Sequence, residues 1–272
     1  MLDELGSQAR LLSGGQSLGP MLNLRLARPG HVIDLNDLTE FSYVRELANC
    51  VEIGGLTRHY QLAESTTLRA VCPLLPLAAQ TIGHYAIRQR GTLGGSLANA
   101  DPVAQLALVA MALDAKITLV RRSGRRELKA SEFFRGAMAT GLQPQEMLLS
   151  VRFPKFKDGE VCAYRMFNRR HGDFAVVSVA TTLALHEGRV QRLRLALSGV
   201  ASMPVSLNSL ARQFEGRHAN AQWAHEVADA MVQGLQPEED ERIPVGYRLD
   251  LAKSLSLRAL LRTLEKLEAA NA

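Results

Sequence analysis

Cysteine is scarce in this 272-residue chain, and its spacing suits neither pairing nor clusters. Cys50, Cys72 and Cys162 lie 22 and 90 residues apart with no Cys-x-x-Cys pair. An odd, scattered set excludes a disulfide framework and fits a reducing compartment. Three such thiols also cannot supply the four thiolates of an iron–sulfur cluster. Long apolar runs are missing: the stretches at 106–113 and 174–185 are too short and too interrupted for a membrane helix. The start, MLDELGSQARLL, lacks a basic region, an apolar run and a small-residue cleavage site. It does not read as a signal peptide, and a cytoplasmic location is the expectation. Charge of one sign is barely in excess, with 32 Lys and Arg against 27 Asp and Glu, so nucleic acid is a poor candidate partner. There is no Gly-Lys-Ser/Thr and no Gly-x-Gly-x-x-Gly, which removes Walker-type and Rossmann-type nucleotide sites. His59, His84 and His171 have no ligand spacing with cysteines or carboxylates, so no metal is assigned.

What is present is an ordinary globular composition, 47% apolar and 22% charged, long enough for two packed units. Short strands and helices alternate without a βαβ rhythm. Ala9–Leu12 and His31–Leu35 read as strands, with a helix from about Pro20 between them. Tyr43–Leu47 and Cys50–Gly54 pair around Ala48-Asn49, and Thr57 is placed to cap a helix over 58–65. Pro76–Ile82 continues as an apolar helix. Asp101 and Pro102 open a helix over 103–113 that is apolar nearly all round, and therefore buried. Lys116–Val120 and the following Arg121-Arg122-Ser123-Gly124-Arg125-Arg126 form a hairpin with a basic tip: a solvated turn, or a docking patch for an acidic partner.

The strand Leu148–Phe153 ends at Pro154, and charged Lys155–Glu160 reads as a linker. Beyond it, 163–168, 174–185 and 190–198 read as a three-stranded antiparallel meander. Helices over 222–233 and 249–267 follow, the second carrying a leucine stripe that belongs to a core. The expectation is an α+β chain of two units.

Two loops carry the chemistry, Ser13-Gly14-Gly15-Gln16-Ser17 and Thr92-Leu93-Gly94-Gly95-Ser96. Each is flanked by hydroxyl residues and leads into a helix. Paired glycines let a backbone approach a ligand closely, and their amides with the neighbouring hydroxyls suit an anion. Either Gly-Gly alone is equally a tight turn; two such loops could grip the two phosphates of a dinucleotide.

The wording of these blocks is more specific than their physics. Ser13–Leu18 followed by Pro20-Met21-Leu22-Asn23-Leu24-Arg25-Leu26-Ala27-Arg28-Pro29 resembles the FAD-binding medium subunit of molybdenum hydroxylases, in particular that of aerobic carbon monoxide dehydrogenase and xanthine dehydrogenase. Ile87-Arg88 with Gly91–Pro102, then Arg169-Arg170-His171-Gly172-Asp173-Phe174-Ala175 and Tyr247-Arg248, extend the likeness over essentially the whole chain.

The resemblance implies a two-lobed FAD-binding domain of the PCMH type over 1–157, with lobes of about 1–35 and 36–157. A carbon monoxide dehydrogenase flavoprotein-like C-terminal domain over 158–272 follows. It implies that Ser13, Gly14, Gly15, Gln16 and Ser17, with Thr92, Leu93, Gly94, Gly95 and Ser96, hold the pyrophosphate, and that Asn99 and Asp101 contact the cofactor. Leu148 would pack near the adenine or the ring, Arg165 would lie near the flavin, and Phe174 would cover one isoalloxazine face. On the residues alone, Asp101 is also a helix cap, Leu148 and Phe174 are also core, and Arg165 is also a surface strand residue.

The implied partners are a large molybdenum-cofactor subunit and a small subunit with two [2Fe–2S] clusters, in a dimer of heterotrimers. Alternatives are a xanthine, nicotinate or aldehyde dehydrogenase subunit, a flavin-free scaffold, or a stand-alone flavin reductase. Two departures stand out. The resemblance implies about twenty further residues, a strand and a helix, ahead of the first loop; read without them, the first lobe is expected to lack an edge strand and part of its cover and to hold FAD weakly. Gln105 stands where many relatives carry an acid.

Overall fold

The computed structural model describes residues 1–240 and 242–271. Strands β1 (Ala9–Leu12) and β2 (His31–Asp34) pair in parallel, with helix α1 (Leu18–Asn23) between them. This platform has little interior. Within residues 1–35 only Ala9, Gly14 and Leu35 are buried, while Leu24 and Leu26 are more than 70% exposed.

The next unit is built on a five-stranded antiparallel sheet of β3 (Val44–Glu46), β4 (Cys50–Gly54), β5 (Lys116–Arg121), β6 (Gly124–Lys129) and β7 (Met147–Pro154). Their spatial order is β3-β4-β7-β5-β6. Alternate residues Val51, Ile53, Ile117, Leu119, Val151 and Phe153 are fully buried, as the two-residue period of a strand requires when one face meets a core. Helices α2 (His59–Glu64), α3 (Thr66–Val71), α4 (Leu74–Ala79), α5 (Tyr85–Arg90), α6 (Leu93–Asn99) and α7 (Gln105–Ala112) complete the unit. Every residue of α7 is buried, as its all-round apolarity predicts. The basic hairpin forms as expected, with β6 at the sheet edge.

Two caps differ from expectation because their side chains are engaged elsewhere. The Thr57 hydroxyl bonds both backbone groups of Tyr43, at 3.0 Å each, so α2 starts at His59 with Arg58 at the cap position. Asp101 accepts from the Val103 amide at 2.9 Å, closing a turn over Pro102, and α7 begins only at Gln105.

The C-terminal sheet has four strands rather than three: β8 (Val161–Phe167), β9 (Val177–His186), β10 (Arg189–Ser198) and β11 (Val205–Ser206). The fourth is two residues long and pairs with Ala196 and Leu197, too short to show an alternation in sequence. Side chains of this sheet alternate between two cores. Cys162, Tyr164, Ala180 and Ala196 join the first cluster. Ala163, Val179, Leu195 and Leu197 join the second, under α8 (Ala221–Val232) and α9 (Val245–Asn271). The leucine stripe of α9 is core, with Leu255 and Leu260 buried. Glu160, at the end of the charged linker stretch, is also buried and accepts from Thr182 Oγ1 at 2.8 Å, with Arg192 alongside at 3.5 Å.

Candidate functional site

The second glycine loop is the first turn of α6. Thr92 caps it, its Oγ1 accepting from the Gly95 amide at 3.1 Å. The Leu93 amide donates to Thr57 O at 2.9 Å, the Gly94 amide to Gly55 O at 2.8 Å and the Ser96 amide to Thr92 O at 3.0 Å. Four successive amides are thus committed within the fold.

Glycine is required here by close approach. A Cβ on Gly94 would stand 2.7 Å from Gly55 O, and a Cβ on Gly55 would stand 2.5 Å from Leu148 O on β7. Sequence reasoning missed Gly55, although Gly54-Gly55 at the end of a strand and just ahead of a helix is the same signal as the two loops. Leu148 is buried in the first core, and its carbonyl supports this stack.

The first loop is differently made. Gly15 takes a left-handed φ of 70°, and Gln16 Nε2 donates to Gly14 O at 3.0 Å. The amides of Gly14, Gly15, Gln16 and Ser17 have no hydrogen-bond partner among the described residues. Successive amides turned by a left-handed residue form a concavity suited to an anion. Gly14 itself is buried against the carbonyl of Arg90 and the Cα of Gly91.

The loops meet where Ser13 Oγ and Thr92 Oγ1 share a hydrogen bond at 3.0 Å. A side chain on Gly95 would fill this notch, its Cβ 2.8 and 2.9 Å from the two hydroxyls. Beneath lies His59, buried, with Nε2 2.9 Å from Thr92 O. A carbonyl only accepts, so Nε2 carries the proton and Nδ1 is left without a partner. Burial lowers the pKa of His59 to about 4, and the ring is neutral at pH 7.

The remaining predicted residues spread outward. Asn99 ends α6, six residues and ~9 Å from its start by helix rise. Asp101 follows, in the turn already described. Arg165 lies on β8, donates to Tyr164 O at 3.1 Å, and lines an open cleft of about 400 Å³ with Leu77, Arg262 and Lys266. Phe174 lies before β9, not in it, and is 72% exposed, so its ring is not core. Its loop reaches the start of α5, where the rings of His171 and His84 are 5.7 Å apart. Helix α5 therefore has the Phe174 loop at one end and the second glycine loop at the other.

Free amides, paired hydroxyls and small residues at one end of α5, with the exposed Phe174 ring at the other, suit a phosphate-bearing ligand with a planar group. The fold and this seam define a nucleotide-binding protein of α+β type. Residues 1–156 match the family described as FAD binding domain in molybdopterin dehydrogenase, and residues 162–263 match the CO dehydrogenase flavoprotein C-terminal domain. The glyceraldehyde dehydrogenase medium chain of Sulfolobus acidocaldarius is 34% identical, over 94% of this chain and 91% of its own. Among solved structures, the carbon monoxide dehydrogenase of Hydrogenophaga pseudoflava superposes with a TM-score of 0.93 at 34% identity, covering 97% of this chain and 92% of that one. Quinoline 2-oxidoreductase of Pseudomonas putida 86 gives 0.92 at 30%, covering 98% and 92%. The chain belongs to the FAD-binding medium subunits of the molybdenum hydroxylases, and is an oxidoreductase subunit of the carbon monoxide dehydrogenase and xanthine dehydrogenase family. Among the described residues no helix is long and apolar enough to cross a membrane.

Proposed function

We propose that this chain holds FAD along the seam between its glycine loops and relays electrons through it. They would arrive from [2Fe–2S] clusters on a small partner subunit and leave to an external acceptor, after substrate is oxidised at molybdenum on a large subunit. A cytoplasmic dimer of such heterotrimers is the assembly this reading entails. The observation that carries it is the set of four unpartnered amides, Gly14 to Ser17, beside the Ser13–Thr92 hydroxyl pair. These donors receive the diphosphate oxygens, and Leu93 to Ser96 supply the wall they face.

Asn99 and Asp101 continue the contact surface past α6. Under that wall Gly55 donates to Leu149 O, with the carbonyl of Leu148 packed against its Cα, and Leu148 is the residue proposed to pack near the adenine or the ring. On the other side of α5, Phe174 offers an exposed ring to one face of the isoalloxazine, and Arg165, in the cleft with Leu77 and Lys266, is the cation for a reduced, anionic ring. FAD, when bound, supplies the exchange of electrons singly or in pairs, and no nucleophile or general base is asked of the chain.

The holoenzyme reading favoured here is carbon monoxide dehydrogenase-like. A second reading, an aldehyde dehydrogenase subunit, draws on an equal likeness: the glyceraldehyde and carbon monoxide enzymes both stand at 34% identity. A substrate panel on the assembled complex separates them.

The test of cofactor binding is a visible spectrum of the purified chain with FAD, before and after gel filtration. A retained flavin band that disappears when Gly14 or Gly94 is replaced by valine supports the reading. A folded, colourless wild-type protein favours a scaffold subunit without flavin.

A further inference from the structure

The platform that carries the first glycine loop has almost no core, with three buried residues in thirty-five. Apolar packing therefore does not fix where that loop stands relative to the second. A polar clamp does. Arg58 pairs through its backbone with Thr92, and its amide is held by Gln61 Oε1 at 2.7 Å, so its side chain starts from a fixed point on the second loop's own support. From there Nη2 donates to Asn36 Oδ1 at 2.6 Å, two residues beyond β2. Nη1 donates to the carbonyl of Arg90 at the end of α5, the same carbonyl against which Gly14 packs. Asn36 is itself fixed, its amide donating to Asp34 Oδ1 at 2.9 Å. One guanidinium thus joins the strand end of the first lobe to the helix end that precedes the second loop. Burial and the nearby Arg90 charge lower the Arg58 pKa, against the weaker opposing pull of Tyr60 and Asp34. Lysine could satisfy one acceptor in place of a fork that reaches two in diverging directions.

We propose that Arg58 is a positioning residue that sets the gap between the two glycine loops, and with it the geometry in which the chain grips a dinucleotide diphosphate. The ligand in this statement rests on the FAD reading above; the clamp does not. The test uses the full chain with Arg58→Lys, Arg58→Met, Asn36→Ala and the Arg58→Met/Asn36→Ala double variant. FAD affinity is read by quenching of flavin fluorescence, global stability by thermal melting, and the clamp by amide hydrogen exchange over residues 9–35 and 147–154.

The expected order of affinity is wild type, then Arg58→Lys, then Arg58→Met, with a loss of about tenfold or more at the last step, the scale of a charge-assisted hydrogen bond. The double variant should be no worse than Arg58→Met, because both changes open the same clamp. Exchange should quicken in 9–35 and stay unchanged in β7. Wild-type affinity in Arg58→Met, additive losses in the double variant, or faster exchange spread equally over β7 would each overturn the proposal. Should wild type bind no FAD, the functional reading fails, and the exchange pattern alone decides the clamp.

Discussion

The two glycine loops look interchangeable in the sequence and are used in opposite ways by the fold. The second loop commits the amides of Leu93 to Ser96 to Thr57, Gly55 and Thr92 and lies over a core of fully buried side chains that includes Leu93 and Leu97. Ser13–Ser17 leaves four amides free on a platform with almost no interior. An amide already satisfied by the fold cannot serve a ligand without breaking what it holds, whereas an unpartnered amide is available to one. Rigidity and donor capacity are therefore divided between the lobes. One loop is a wall and the other supplies the donors, and their spacing depends on the polar contacts between them.

The largest effect that tests this division is Gly94→Val. Its Cβ meets Gly55 O at 2.7 Å, and Gly55 is itself pressed against β7, so there is backbone on both sides and nothing flexible to yield. We expect a loss of ~3 kcal/mol or more in calorimetry, the upper range for overpacking, together with loss of the flavin band. Gly14→Val should contrast with it. That side chain meets Arg90 O, but the lobe carrying it can shift without opening a core. FAD affinity should fall by about 100-fold, as when several charge-assisted hydrogen bonds are misaligned, with little change in melting. Equal losses of stability in the two variants would break the comparison.

Much of this was legible in the sequence, and what was not has physical causes. Both loops, the hairpin 116–129, the buried helix 105–112 and the two C-terminal helices announce themselves by glycine pairs, a turn dipeptide and apolar periodicity, all local signals. The roles of Thr57 and Asp101 did not, because a hydroxyl or carboxylate can serve a cap, a turn or a distant backbone equally well. Only the position of Tyr43, fourteen residues away, decides for Thr57. Strand β11 is too short to show a period, and Phe174 reads as strand because its apolar run continues through Ala175 and Val176 into β9, which begins at Val177. The committed amides of α6 were invisible for the same reason: their acceptors at 55 and 57 are brought there by the fold.

A smaller, pH-dependent effect isolates the wall. His59 is neutral in the folded chain, with a pKa lowered from 6.5 to about 4 by burial. Above pH 6.5 both folded and unfolded chains hold it neutral, and its packing beneath Thr92 contributes in full. As the pH falls from about 6.5 towards 4 the unfolded chain takes up the proton first, so stability declines, by at most ~1.4 kcal/mol per pH unit. Below the folded value the loss levels off. His59→Gln, which can still donate to Thr92 O, should flatten this part of the stability–pH curve measured by urea unfolding. An unchanged slope would mean that His59 does not set acid sensitivity.

The smallest effects lie at the hydroxyl pair where the loops touch. Thr92→Val removes both the cap on the Gly95 amide and the partner of Ser13, so the wall should weaken by about 1 kcal/mol, the usual worth of an N-cap. Ser13→Ala leaves that cap in place and removes a single, partly exposed bond, so its cost in urea unfolding should be about 0.5 kcal/mol. The order of FAD affinities sharpens the point. Ser13 stands directly before the free amides, so its loss should weaken binding more than it weakens folding, and Thr92→Val should do both. If Ser13→Ala destabilised the chain as much as Thr92→Val, the first loop would be part of the scaffold and the division of labour between the lobes would fall.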